Sequence, residues 1–219
     1  MKKSVILMSG GLDSIVALGS SIDEYGIDLA LTFDYGQKSA KTEINASKKI
    51  SDYYGIKHKI IKLDWLKEIT TSALVSSENI PSENLGTRES AALVWVPNRN
   101  GLFLNIAASI ADGEDYDCII IGANKEEGEN FPDNTVEFID RVNKEFEYST
   151  LKKPKVAAPL INLNKNDIVK LALDNVLPLD MIYSCYALGD RHCGKCESCI
   201  RLKNALKANN DEYFTGKLF

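Results

Sequence analysis

Val5-Ile6-Leu7-Met8-Ser9-Gly10-Gly11-Leu12-Asp13-Ser14 is the stretch on which the reading of the whole chain turns. Val5 to Met8 is a short apolar run closed by a Ser-Gly-Gly turn, the pattern of a buried strand. From Asp13 to Tyr25, Ile15, Val16, Leu18, Gly19 and Ile22 recur near helical spacing, so a helix follows the turn. Glycines at 10 and 11 can adopt positive φ and let backbone approach an anion closely. A helix start presents unpaired N–H groups and the positive end of the dipole. Ser9 and Ser14 add hydroxyl donors. Asp13 would repel phosphate unless a cation stood between them, and Mg²⁺ carried by a nucleotide fills that place. The loop is neither a Walker A sequence, since no Gly-Lys-Ser/Thr follows, nor Gly-x-Gly-x-x-Gly. A plain β–α turn capped by Ser or Asp uses the same residues; the strand–loop–helix context favours phosphate.

Outward from that turn, apolar runs alternate with amphipathic stretches. Leu29–Phe33 reads as a second strand, 41–54 as a helix stopped by Gly55, and His58–Leu63 as a third strand. Trp65–Leu74 has helical character, and 76–100 is a long polar segment of the kind that is functional or mobile. Leu102–Ala111 reads as an Ala-rich helix, Cys118–Ile121 as the most strand-like run, and Thr135–Phe146 as a helix. Val156–Ala158 is a short strand, 166–175 a helix, and Ile200–Ala208 a short basic helix. Such alternation with fully apolar strands predicts an α/β fold: a parallel sheet with helices on both faces and right-handed crossovers. Ligands then sit beyond the C-terminal strand ends, at Ser9–Ser14, Asp34–Lys38 and Gly122–Asp133.

The chain of 219 residues suits one domain with a small appendage, divided here into 1–180 and 181–219. A chain of this size buries roughly 70% of its unfolded surface and needs no disulfides. Hydrophobic residues at 44% and charged residues at 26% exclude wholesale disorder. A net charge of −5 disfavours a dedicated nucleic-acid binder. The Val5–Met8 run is shorter than the about 7 residues of a signal-peptide core or the about 18 of a membrane span, which points to a cytoplasmic protein without membrane contact. In a reducing compartment clustered cysteines mean metal or chemistry.

Four of the five cysteines form Cys185-x7-Cys193-x2-Cys196-x2-Cys199. Four thiolates that close together suit one tetrahedral ion, Zn²⁺ by preference, with an Fe–S cluster as the rival. Gly194 permits the turn between ligands, and Lys195 and Arg201 would offset the thiolate charge. His192 is a substitute ligand in reserve. Cys118, inside an apolar run, reads as core.

Ser9-Gly10-Gly11-Leu12-Asp13-Ser14 resembles the Ser-Gly-Gly-x-Asp-Ser loop of the PP-loop ATP pyrophosphatases, with their Rossmann-like, adenine nucleotide α-hydrolase-like (HUP) fold. Together with a C-terminal four-cysteine knot it is similar to the 7-cyano-7-deazaguanine synthase (QueC, formerly ExsB) family. Phe33-Asp34-Tyr35-Gly36-Gln37, Val96-Pro97-Asn98-Arg99-Asn100, Gly122 with Phe131-Pro132-Asp133, Pro159-Leu160 to Asn164-Lys165, Ser184-Cys185-Tyr186 and Cys193-Gly194-Lys195-Cys196 follow the family's order. The resemblance implies a carbon–nitrogen ligase of queuosine biosynthesis. It would convert 7-carboxy-7-deazaguanine and ammonia, with ATP, to the 7-cyano compound (preQ0), through an adenylated carboxylate and then an activated amide. It also implies Mg²⁺, Zn²⁺ and a homodimer.

Under that resemblance Met8, Ser9, Gly10, Gly11, Leu12, Asp13, Ser14, Ile15, Val16, Ala17 and Leu18 form the nucleotide-binding stretch. Asp13, Lys38 and Arg99 are the catalytic candidates, with Lys38 or Arg99 neutralising phosphate or carboxylate. Gln37, Arg99, Asn100 and Asp133 face the substrate, Asp133 accepting from a guanine-like edge. Asp34 would serve a metal. Cys185, Cys193, Cys196 and Cys199 hold zinc. The sequence departs from the family pattern in having Asn134-Thr135 where an Arg usually follows Pro-Asp, Asn98 for Gly, and only Glu126 or Glu127 as the acid before Pro132. The alternatives are a divergent PP-loop enzyme that adenylates another carboxylate, one that adenylates a tRNA base for thiolation, and a zinc-knuckle RNA-binding adaptor on a nucleotide fold.

Overall fold

Residues 2–83 and 87–219 are described by a computed structural model. Strand β1 (Ser4–Leu7) is buried at every position, because it is the middle of a five-stranded sheet in the order β3-β2-β1-β4-β5. Its neighbours are β2 (Ile27–Asp34) and β4 (Cys118–Ile120). The edges are β3 (Lys57–Lys62) and β5 (Lys155–Ala157), and every pairing is parallel.

Alternate side chains of the central strands feed two cores. Val5 and Leu7 join Leu29, Leu31 and Ile119 on one face, against Leu104, Ala107 and Ala108 of α4 (Arg99–Glu114) and Val142 and Phe146 of α6 (Val136–Ser149). Ile6 and Met8 join Ala30, Cys118 and Ile120 on the other. There they meet α1 (Leu12–Tyr25), α2 (Ala40–Tyr54) through Ile50, and α7 (Lys165–Asp174) through Ile168 and Val169. Leu202, Ala205 and Leu206 of α8 (Glu197–Ala208) and Leu218 of α9 (Tyr213–Leu218) are buried in this second core. The C-terminal segment is therefore packed onto α1 and α7.

Two expectations change. The helical character expected for 65–74 is a 3-10 turn confined to Asp64–Ile69. The long polar segment contains α3 (Arg88–Val94), opened by a capping box between Thr87 and Ser90, and ends in α4, which begins at Arg99. That places Arg99 and Asn100 in the first turn of a helix. Asn98 sits before them at φ 52, a left-handed conformation that Asn tolerates and that the Gly of the family pattern would adopt without cost.

The order in which strands are added reverses about β1: β2 and β3 lie on one side, β4 and β5 on the other. The crevice between the C-terminal ends of β1 and β4 is the switch point where ligands bind in such sheets. Two close approaches shape it. A Cβ on Gly122, just past β4, would stand 3.0 Å from the Asp13 carbonyl carbon and oxygen. Gly10 has φ +76, and a Cβ there would meet Glu43 O and Ser47 N at 2.9 Å. Gly10→Ala is therefore expected to be destabilised by about 1–3 kcal/mol from backbone strain alone, and to displace the loop from α2. Urea unfolding and nucleotide titration check both effects.

Candidate active site

The turn from β1 to α1 is held by hydroxyls. Gly11 N–H donates to Ser9 Oγ at 3.3 Å, Ser14 Oγ donates to Gly11 O at 3.0 Å, and the two serine oxygens are 3.3 Å apart. Leu12 N–H donates to Ser184 Oγ at 2.9 Å and Tyr183 N–H to Gly10 O at 2.8 Å, so the cysteine-bearing segment braces the loop. Ser9, Gly11, Leu12, Asp13 and Ser14 line the main pocket, with Met8 behind them. Ile15, Val16, Ala17 and Leu18, expected with the nucleotide, are fully buried core residues instead, because the helix turns that face into the second core.

Asp13 is answered by a cation that the sequence reading left without a role. Lys165, at the start of α7, places Nζ 2.8 Å from both Asp13 oxygens and 3.8 Å from Glu127. Its own N–H donates to Glu126 Oε1 at 2.7 Å. The side chains of Lys165 and Asp13 are 10% and 21% exposed, so this is an internal pair. Burial foremost, with Glu127 and Glu126, raises the proton affinity of Asp13 against the pull of Lys165. Burial opposes the Lys165 cation, yet Asp13 and Glu127 outweigh it and hold the ammonium above its ordinary pKa. Three carboxylates around one lysine leave negative charge for a second cation, so Asp13 with Glu127 suits a hard divalent ion.

Across the pocket Arg99, Asn100 and Asp133 come together. Asn100 Nδ2 donates to Asp133 O at 3.2 Å, and Asn134 Nδ2 to Asp133 Oδ1 at 3.0 Å. Burial pushes the Asp133 carboxyl up, opposed by Arg99 and these amides. Arg99 donates through NH1 to the Tyr35 hydroxyl at 3.4 Å. Burial works against its charge, but Tyr35, Asp133 and Glu127 more than restore it.

Three expected site residues are placed elsewhere. Lys38 Nζ donates to the carbonyls of Ala73, at 2.8 Å, and Glu78, which ties that segment to the loop after β2 and keeps the ammonium out of the pocket wall. Gln37 is buried with its amide engaged: Nε2 donates to Phe33 O and Glu43 Oε2, and Oε1 accepts from Tyr35 N–H. Asp34 Oδ1 accepts from Gly36 N–H at 3.2 Å, closing a turn.

Glu43 takes the place expected for Gln37. It lies in the pocket wall, accepting from Ser39 Oγ at 2.5 Å and from Gln37. Burial raises its pKa, opposed by those bonds and by Arg99. An acid whose pKa is raised in the fold binds its proton more tightly folded than unfolded. Its contribution to stability is present below the unfolded value and is lost as pH rises through the folded one. Glu43→Gln is thus expected to flatten the fall of the urea midpoint with rising pH above the ordinary carboxylate range; an unchanged slope contradicts this.

The C-terminal segment adds Tyr186, and Glu197, Ser198 and Arg201 of α8, to the wall. Burial, then Glu127 and Glu197, push the Tyr186 phenol well up against Arg99 and Arg201, so these four charges converge on it. Arg201 pairs with Glu197 and faces the pocket, so it is not the thiolate counter-ion expected from the sequence.

The sulfur atoms of Cys185, Cys193, Cys196 and Cys199 all lie within 4.8 Å of one another, and Cys193 and Cys199 sulfurs are 3.8 Å apart. A tetrahedral ion with Zn–S bonds of about 2.3 Å sets its thiolates about 3.8 Å apart. Backbone N–H groups of Ala187 and Cys193 point at the Cys185 sulfur, and those of Lys195 and Cys196 at the Cys193 sulfur. Gly194 makes the turn at φ +71. The donor set fits one thiolate-bound ion. A cubane cluster, in which each cysteine ligates a different iron, spreads its ligands wider. His192 stands outside the set: its Nε2 accepts from Ser184 N–H at 3.0 Å.

The sequence matches the family described as "Queuosine biosynthesis protein QueC" over residues 3–210. It is 46% identical over 213 residues to the 7-cyano-7-deazaguanine synthase of Pelotomaculum thermopropionicum, covering 94% of this chain and 96% of that protein. It is 44% identical over 216 residues to the synthase of the same name from Methanosarcina barkeri, covering 94% of each. Among solved structures, the U34-tRNA thiolase NcsA of Methanococcus maripaludis with its [4Fe-4S] cluster superposes with a TM-score of 0.52 at 18% identity, over 99% of this chain and 69% of that one. At that identity the likeness is one of fold.

Proposed function

Because the chain belongs to the QueC family of queuosine biosynthesis proteins, we propose that it converts 7-carboxy-7-deazaguanine and ammonia to 7-cyano-7-deazaguanine, consuming ATP. The observation that carries this reading is the meeting, in one pocket, of the Ser9–Ser14 loop with its Asp13–Lys165 pair and the Arg99, Asn100 and Asp133 group. The first is suited to a triphosphate, the second to a small acid bearing N–H donors.

A carboxylate repels nucleophiles, so it is activated first. Its oxygen attacks the α-phosphorus of ATP and pyrophosphate leaves. Ammonia then displaces AMP, giving the primary amide. The amide oxygen attacks the α-phosphorus of a second ATP and pyrophosphate leaves; loss of AMP and of both amide N–H protons from the adenylated imidate then gives the nitrile. Both activations need one geometry, an oxygen in line with the α-phosphorus, so one pocket serves both. Positioning and charge neutralisation dominate. The loop N–H groups and the Ser9 and Ser14 hydroxyls orient the phosphates. Asp13, with Glu127 beside it, would hold Mg²⁺, which supplies charge neutralisation when bound. Lys165 favours the Asp13 carboxylate against the upward push of burial. Arg99 draws the substrate carboxylate to the pocket, and Asp133 accepts from the guanine-like edge. Cys185, Cys193, Cys196 and Cys199 would hold Zn²⁺, which would fasten the segment that braces the loop.

A thiolation reading gains nothing from the cysteines, whose spacing suits a single ion. Mass spectrometry of the protein with ATP, ammonium and a panel of carboxy-deazapurines tests the reaction. The nitrile is expected from the 7-carboxy compound. ATP consumption with a different acid and no nitrile would overturn it.

A further inference from the structure

The main pocket is acidic for a site that is to hold ATP and a carboxylate: Asp13, Glu43, Glu127, Asp133 and Glu197 all line it. Among the described residues of its wall the cationic side chains are Arg99 and Arg201. Lys165 stands behind the wall, bound to Asp13. Both arginines act on the Tyr186 phenol, but their other partners differ. Arg99 is on the side of Tyr35 and Asp133. Arg201 is on the side of the phosphate loop, and a short chain of contacts links them. Its helix neighbour Ser198 donates to Ser184 O at 2.6 Å, and Ser184 Oγ accepts from Leu12 N–H at 2.9 Å.

Arg201 is also held in place. Its side chain is 19% exposed and one edge of its guanidinium is paired with Glu197, itself 12% exposed. A guanidinium has five N–H donors, so the pair with Glu197 leaves others for a ligand. The helix that carries Arg201 starts at Cys196 and includes Cys199, two members of the four-cysteine set.

We infer that Arg201 is a binding residue for the pyrophosphate end of ATP, delivered to the pocket by the helix that the cysteine knot anchors. Negative charge grows on the pyrophosphate as its bond to the α-phosphorus breaks, and a guanidinium fixed beside it stabilises that charge in place. The knot is then part of the active site's construction, since two of its ligands set the position of a phosphate-binding cation.

This inference rests on the ATP reading, and one experiment separates the two. Full-length, zinc-loaded wild type, Arg201→Gln and Arg201→Lys are titrated calorimetrically with magnesium pyrophosphate and, separately, with magnesium ATP and with AMP. Zinc content and melting temperature are recorded for each. Loss of a charge-assisted contact predicts pyrophosphate binding weaker by about tenfold or more in Arg201→Gln. Arg201→Lys should recover part of it, with AMP affinity, zinc content and melting unchanged. If the wild type binds neither pyrophosphate nor ATP, the ATP reading falls and this inference with it. If the wild type binds and Arg201→Gln binds equally well, the ATP reading stands and the inference is overturned. Loss of zinc or of AMP affinity in both variants also overturns it, since the residue would then be structural.

Discussion

Lys165→Met is expected to lower turnover by about a thousandfold, the scale of removing one preorganised charge from a water-poor site. Methionine keeps the length of the stem and removes the ammonium that sits 2.8 Å from both Asp13 oxygens. Asp13 is then left buried beside Glu127 and Glu126 with nothing to oppose their effect. It takes up a proton and ceases to be a ligand for a cation. Breaking an internal pair also destabilises by up to about 3–5 kcal/mol, because the carboxyl left behind has lost its buried partner and escapes carrying an unpaired charge only by binding a proton. Steady-state rates and urea unfolding read the two effects separately. A variant within tenfold of wild type would show that Asp13 needs no counter-ion.

Metal removal should have the other large effect. Apparent binding free energies of about 10–16 kcal/mol for structural zinc exceed the stability of an ordinary domain, so the loss of the ion costs the fold of the segment that carries it. Here that segment holds Ser184 against Leu12 N–H, Tyr183 against Gly10 O, and Glu197, Ser198 and Arg201 in the pocket wall. Chelation, or Cys199→Ser, is therefore expected to abolish ATP binding along with ordered α8. Limited proteolysis should cut first beyond Tyr183. Zinc analysis of the purified protein should return one ion per chain, and readdition should restore binding to the chelated protein. A metal-free protein that keeps its melting temperature and nucleotide affinity would contradict the account.

The centre of the sheet was legible because its strands are largely apolar and its turns carry glycine. Val5–Met8, Leu29–Phe33 and Cys118–Ile121 could be read without knowing their partners, and the cysteines announced themselves by spacing. The polar half of the site was legible in part. Asp13, Arg99, Asn100 and Asp133 sit in recognisable motifs, and the fold gathers them around one pocket. Lys38 and Gln37 sit in an equally telling loop, but backbone carbonyls and a neighbouring glutamate capture their polar atoms. Nothing in one sequence distinguishes an ammonium that ties a loop from one that faces a ligand. Lys165, Glu43 and Arg201 were hidden for the opposite reason. Each lies on a helix where a charged residue is ordinarily solvated, and only the packing of that helix turns it inward. Arg201 had been read against the thiolates because they are near in sequence. The fold pairs it with Glu197 one turn back and aims both into the pocket.

The central claim is that the loop after β1 presents the α-phosphorus of ATP to an oxygen of the acid. The direct measurement is isotopic. The 7-carboxy substrate, labelled with heavy oxygen in its carboxylate, is turned over with ATP and ammonium, and the nucleotide products are weighed by mass spectrometry. The account predicts two AMP per nitrile, each with one labelled oxygen, and pyrophosphate without label. ADP and phosphate as products, or AMP free of label, would contradict it.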